Sequence, residues 1–247
     1  MINESFDDKS DAIINPIKQK VLVKCDICIA TFSDKIERFV IEQFKPKQVG
    51  IFKCVNGESP IYTFKYKNKN IGFYKTLLGA PASVGMLEKV LTILGSTKFL
   101  VFGSAGSLDK NICNNKVVVP TYAYRDEGTS YHYAPAKDYI KIKNSTAVAD
   151  FMKNNKIPYV EGRVWTTDAF YRETKNNFNK RKSEGCIAVD MECSAMQAVC
   201  DLRNLELYYF FVSGDLLDSP EWTDSNLHSA NHNFENFNIA LHLANEL

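Results

Sequence analysis

The chain has no apolar run near the roughly 20 residues that cross a bilayer. Its opening stretch MINESFDDKSDAIINP has neither the basic leader nor the apolar centre of a secretory signal. These absences exclude a membrane partner and predict a cytoplasmic protein. Charge of either sign is not in excess: 30 Lys and Arg stand against 29 Asp and Glu, a net charge of +1, with no basic stripe. Nucleic acid is therefore not an expected partner. There are only four histidines. His228 and His232 are four apart, but with no Glu between them and no third ligand nearby they read, like His242, as surface or helix-packing residues, and no metal is expected. His132, in the aromatic-rich TSYHYAP, is a residue that could reach a neighbouring active site. Seven cysteines form no regular framework, which fits reduced thiols rather than a disulfide scaffold. The CDIC pair, Cys25 and Cys28, falls in an apparent buried strand, where positions three apart point to opposite faces. It reads as core.

Internal repeats and Pro/Gly/Ser linkers are also missing. The expectation is one domain over residues 1–247, with 1–19 peripheral or poorly structured. The chain is long enough to bury a core without staples, and 45% hydrophobic and 24% charged residues place it among ordinary globular proteins.

Runs rich in Val, Ile, Phe and Tyr recur from end to end. Residues 21–30, 60–66, 70–78, 98–106, 116–124, 159–167, 185–191 and 205–215 have strand length and composition. Helical patterns separate several of them, at 83–95, 144–155, 192–204 and 234–247. Alternation of this kind predicts an α/β fold, one sheet with helices on both faces, and ligands beyond the carboxyl ends of the strands.

Four strand ends carry unusual residues. VFGSAGSL (101–108) offers small residues, Gly103 among them, whose backbone N–H groups could converge on an anion, with the Ser104 hydroxyl as a further donor. A plain Gly-rich turn reads the same way, and with no Gly-Lys-Ser/Thr it is not a nucleotide P-loop. In AVDMECSAMQAV a helix beginning near Asp190 would point Glu192 toward the core, with the helix dipole helping to keep it ionised. Asp190 reads as helix-start charge, and Glu192 could be the same. FFVSGDLLDSPEW ends a very apolar strand on Asp215, where partial dehydration would raise the carboxyl pKa and suit it to proton donation. A turn-forming Asp is the alternative, and Asp218 could take the role instead. In WTTDAFYRET, Phe170 and Tyr171 could stack on a flat ligand or fill core.

In this order the segments VDMECSA, GSAGSL, TTDAFY and SGD resemble the nucleoside phosphorylase family, which holds purine nucleoside phosphorylase, uridine phosphorylase and related nucleosidases. The resemblance runs from about residue 20 to the end, and YRDEGTSYHYAP (124–135) is most similar to uridine phosphorylase. It implies a twisted, partly closed mixed sheet in a homodimer or a hexamer built as a trimer of dimers. It also implies cleavage of a nucleoside by phosphate to free base and ribose 1-phosphate, with inorganic phosphate as co-substrate and no cofactor. Carried over by motif, Glu192 would accept hydrogen bonds from the ribose hydroxyls, and Met191 and Leu78 would line the sugar. Phe170 would stack on the base, Asp215 would protonate a purine at N7, and Ser104 would bind phosphate. Because a pyrimidine has no N7, Asp215 leans the reading toward purines.

The chain departs from the family pattern where phosphate binds. Thr31 and Lys35 stand near the family's glycine and arginine after the first strand. Val101 replaces the arginine before the phosphate loop, and Gly57 falls where a neighbouring subunit lends another. Lys35, Arg38 and Arg125 are the cations that could compensate. The departures keep two rivals open: hydrolysis by water, for which Asp34 or Glu37 would have to be the base, and a nucleoside-binding protein without turnover.

Overall fold

The computed structural model describes residues 2–15, 21–55, 57–114, 116–219 and 227–247. Among these residues ten strands form one mixed sheet: β1 (Ile27–Thr31), β2 (Lys47–Cys54), β3 (Gly57–Tyr66), β4 (Lys69–Lys75), β5 (Lys98–Ser107), β6 (Val117–Asp126), β7 (Tyr139–Lys141), β8 (Tyr159–Thr167), β9 (Cys186–Asp190) and β10 (Glu206–Leu216). The order is β10-β6-β8-β9-β5-β1-β4-β3-β2, and β10 pairs β5 as well. That extra pairing closes β10, β6, β8, β9 and β5 into a ring, from which β1, β4, β3 and β2 extend as an open arm. β7 adds to β6.

Strand periodicity divides the core. Ile27, Ile29, Leu100, Phe102, Tyr208 and Phe210 pack on one side with residues of α1 (Asp34–Phe44), α5 (Ser145–Asn154) and α9 (Phe234–Glu246). Their neighbours Cys28, Ala30, Phe99, Val101, Tyr209 and Phe211 face α2 (Ala80–Leu94) and α7 (Cys193–Leu202). Period-two side chains on strands apolar at every position require a helix layer on each face. Both members of the CDIC pair are buried free thiols.

The first expected strand is shorter than its apolar run. The N–H groups of Leu22, Val23 and Cys25 donate to the carbonyls of Ile93 and Leu94, so the segment closes the carboxyl end of α2 instead of joining the sheet. Residues 2–15 hold one turn, Ile2–Glu4, and are largely exposed. Among the described residues, no helix is long and apolar enough to cross a membrane.

Candidate active site

A cleft of about 1160 Å³ opens beyond the carboxyl ends of β5, β9 and β10. Six residues expected from the sequence line it: Leu78, Ser104, Phe170, Met191, Glu192 and Asp215. They come from five separate segments, and the strand ends bring them together.

Glu192 is the most constrained. α7 begins at Cys193, later than the sequence suggests, so Glu192 is the residue before the helix and its carboxylate turns across to α2. The N–H of Gly79 donates to its Oε1 at 2.6 Å. Gly79 has φ 90°, a left-handed conformation that glycine adopts without strain, and it stands at the start of α2. The expectation that the helix dipole keeps Glu192 ionised is corrected by its surroundings. It is only 4% exposed. Burial, followed by the charge of Asp190, lifts its pKa to about 8, against the Gly79 and Met191 N–H groups that favour the charge.

Asp190 keeps its helix-start role. It accepts from the N–H groups of Glu192 (2.8 Å) and Cys193 (2.6 Å) and from Thr166 Oγ1 (2.7 Å). Burial raises it to about 6 in spite of these donors. Its bonds set the turn that presents Met191 and Glu192 to the cleft.

At the other wall, Phe170 and Tyr171 sit in a short turn, Phe170–Arg172, after β8, with ring centroids 4.2 Å apart. Phe170 is 48% exposed and Tyr171 89%, so neither is core. Asp215 is the next-to-last residue of β10 and lines the cleft beside Gly106, where an added Cβ would stand 3.1 Å from Asp215 Oδ1. Asp218 is engaged by Lys182 Nζ at 3.0 Å. Glu173, absent from the sequence-based site, also lines the cleft. Burial and then the charge of Asp215 raise its pKa to about 7. Its only sequence signal is a carboxylate three residues after Phe170.

The expected phosphate residues do not all meet. Ser104 lines the cleft, where its hydroxyl donates to Asn231 Oδ1 at 2.5 Å. Gly103 packs beneath the Phe32 ring, which would stand 3.0 Å from an added Cβ. Lys35 is outside. It donates to His228 Nε2 at 2.8 Å in a smaller depression with His232, whose Nδ1 lies 2.6 Å from Ser33 Oγ. α8 (Leu227–Asn231) stands between: Leu227 and Asn231 line the cleft, and His228 lines the other depression. Arg38 pairs with Asp34 at 2.8 Å and lines neither. His132 is exposed on α4 (Ser130–Tyr133), and His242 on α9.

Arg125 is a scaffold residue rather than a phosphate ligand. Only 4% exposed, it donates to Ser130 Oγ (2.7 Å) and to the carbonyls of Pro135 (2.6 Å) and Ala134 (3.2 Å), over the Tyr131 ring. Nearby Glu127 accepts from the Ser130 N–H and from Ser194 Oγ, each at 2.8 Å, which braces α7. Arg125→Met should lower the melting temperature, corresponding to about 1–3 kcal/mol for the stranded acceptors, which a thermal melt checks.

The cations lining the cleft among the described residues are Lys110, from α3 (Lys110–Cys113), and Lys175, from α6 (Lys175–Ser183). Among the described residues, the end formed by Phe32, Ser104, Leu227 and Asn231 carries no charged side chain, whereas Glu173, Asp190, Glu192, Asp215 and Asp218 supply carboxyl groups elsewhere. Such a site can hold hydroxyls, sandwich a flat ring and donate a proton.

Residues 26–242 match the family model described as the Phosphorylase superfamily. The chain is 28% identical over 166 residues to an uncharacterized protein of Acanthamoeba polyphaga mimivirus, covering 66% of this chain and 65% of that one. It is 27% identical over 141 residues to a DeoD-type purine nucleoside phosphorylase of Shewanella oneidensis, covering 56% of this chain and 60% of the relative. The matches thus span less than two thirds of these relatives' length. Among solved structures, the 5'-methylthioadenosine/S-adenosyl homocysteine nucleosidase of Campylobacter jejuni superposes with a TM-score of 0.73 at 18% identity, over 90% of this chain and all of the other. Futalosine hydrolase of Helicobacter pylori gives 0.69 at 18%, over 90% and 97%. These two likenesses show the fold.

Proposed function

Because this chain belongs to the phosphorylase superfamily, we propose that its cleft cleaves the N-glycosidic bond of a purine nucleoside, with inorganic phosphate as the acceptor. The observation that carries the reading is the convergence of Met191 and Glu192 with Phe170 and Asp215 in one cleft. Breaking the bond builds positive charge on the ribose and negative charge on the departing base, so a catalyst must grip the sugar and neutralise the base. Glu192 accepts hydrogen bonds from the ribose hydroxyls, with Met191 and Leu78 against the sugar. Phe170 stacks on the base, and Asp215 delivers a proton to N7. Glu173, beside Asp215, keeps a further proton at hand near neutral pH. No cofactor enters, and the exposed Leu78 and Tyr171 at the cleft mouth suit coverage by a second subunit of a dimer or a trimer of dimers.

The acceptor is argued from what the Ser104 end offers. Water attacks well only when a base takes its proton, and among the described residues no carboxylate lines that end: Asp34 is paired with Arg38, and Glu37 Oε2 lies 3.4 Å from Lys75 Nζ. Phosphate carries its own negative charge and needs no base. The second reading, hydrolysis, is favoured by the missing guanidinium groups, since bidentate arginine contacts are the strong ones for phosphate. Incubating the protein with inosine, adenosine and uridine, with and without phosphate, separates the readings. Phosphate-dependent release of a purine supports phosphorolysis; release unaffected by phosphate establishes hydrolysis instead.

A further inference from the structure

Five buried side-chain polar atoms find no hydrogen-bond partner among the described residues, and three are the hydroxyls of Tyr74, Thr76 and Tyr209. Tyr74 and Tyr209 stand on one cross-strand row. Tyr74 pairs with Ala30, Ala30 with Val101, and Val101 with Tyr209. All four belong to the same core cluster, so the two phenols rise from one face of the sheet with only the short side chains of Ala30 and Val101 between them. Thr76 lies two residues beyond Tyr74, its N–H on the Thr31 carbonyl, in the stretch leading to Gly79 and its bond to Glu192.

Tyr209 reaches upward to the site. Its ring lies 4.7 Å from that of Phe211, which lines the cleft. Burial, then the charges of Glu192, Asp190, Cys193 and Tyr74, hold its hydroxyl well above the ordinary phenol range. It therefore lies within electrostatic reach of Glu192 without a direct hydrogen bond to it. A polar separation of that kind is what a bridging water fills. Such a water needs roughly two to four polar partners, and the Tyr74 and Tyr209 hydroxyls and the Glu192 carboxyl supply them. Phenylalanine would fill either position without stranding a hydroxyl, so an unbridged pair would be a net loss to the fold.

We propose that a buried water site lies between Tyr74 and Tyr209 and ties the Tyr209 hydroxyl to Glu192, making Tyr209 a positioning residue for the sugar-holding carboxyl. The positioning part rests on the sugar-holding reading of Glu192; the water site does not. The occupant is neutral water rather than a cation, because both Asp190 oxygens already accept hydrogen bonds. The groups that face the pocket and Glu192 electrostatically are Asp190 and Asp168, Cys193 and Cys200 of α7, and Cys28 of β1. Donation from the water favours the charged form of Glu192 and opposes its burial, so loss of Tyr209 moves the carboxyl in one known direction.

The test uses the full chain. A high-resolution crystal structure should show water within hydrogen-bond distance of both phenol oxygens, and Tyr74→Phe and Tyr209→Phe should each melt at a lower temperature than the parent. In calorimetric titrations with inosine from pH 6 to 9, Tyr209→Phe should move the midpoint of the affinity change upward by about half a pH unit or more. A merely structural role would leave that midpoint in place. Absence of water density overturns the site whichever way the melting temperature moves, and higher melting temperatures for both variants do the same. Water density with an unmoved midpoint overturns the positioning role. If instead Glu192→Gln leaves inosine affinity unchanged, the sugar-holding reading fails while the water site stands on density and melting.

Discussion

Glutamine in place of Glu192 is expected to lower kcat/KM for the preferred nucleoside by about 100- to 1000-fold, roughly 3–4 kcal/mol of transition-state binding. Above about pH 8, where Glu192 is ionised, the carboxylate can accept from two ribose hydroxyls, and a hydrogen bond to a charged group contributes about 1.5–3 kcal/mol. The glutamine amide offers one acceptor oxygen, which the Gly79 N–H already engages, and its NH₂ cannot accept. Steady-state kinetics on the folded variant reads the loss, which should appear in kcat as well as KM because the sugar becomes cationic only as the bond breaks.

The same substitution should stabilise the protein toward alkaline pH. The folded-state pKa of Glu192, about 8, lies above its unfolded value. Between the two the folded chain holds a proton that the unfolded chain has released, so stability falls as pH rises through that window. Asp190, raised to about 6, and Glu173, raised to about 7, contribute slopes of the same sign over lower ranges. Melting curves from pH 5 to 9 should therefore diverge, with Glu192→Gln gaining on the parent as pH rises and the gain levelling off above about pH 8. Curves that stay parallel would mean that Glu192 is not held protonated by the fold.

Asp215→Asn should cost about 100- to 10,000-fold in kcat on inosine, the usual span for removing a positioned general acid. On a nucleoside whose base leaves without a proton, such as a 7-methylated purine nucleoside, the loss should be under about tenfold, because nothing remains for the acid to do. Equal losses on both would remove the proton-donor role and leave Asp215 as a packing residue beside Gly106. Glu173 makes the comparison sharper. If it supplied the proton itself, Asp215→Asn would retain most of the inosine rate, and Glu173→Gln would lose it.

The strands and helices that were legible share one property: their apolar period is unbroken. All eight expected strands occur, because runs such as VFG and YYFF fill both faces of a doubly covered sheet. β2 was not legible, since it is an edge strand with no fully buried residue. β7 has only three residues, and α6 has Phe178 as its only large apolar side chain. The same contrast runs through the site. Glu192, Phe170, Ser104 and Asp215 were legible because each lies in the carboxyl-terminal part of a strand or just past it, and strand ends converge whatever the loops do. Arg125 misled because its fate is settled within ten residues by a loop that folds back on its guanidinium. Lys35 misled because a helix about 190 residues away, carrying His228, stands between it and the cleft. Glu173 was missed because only the folded cleft shows that a carboxylate in a polar stretch is half-buried beside Asp215.

The identity of the sugar product tests the central claim most directly. Phosphorus NMR of the protein turning over a purine nucleoside in phosphate buffer should show ribose 1-phosphate growing in step with the free base. Free ribose appearing in step with the base, with inorganic phosphate unconsumed, would contradict the account and make water the nucleophile that attacks the sugar held by Glu192.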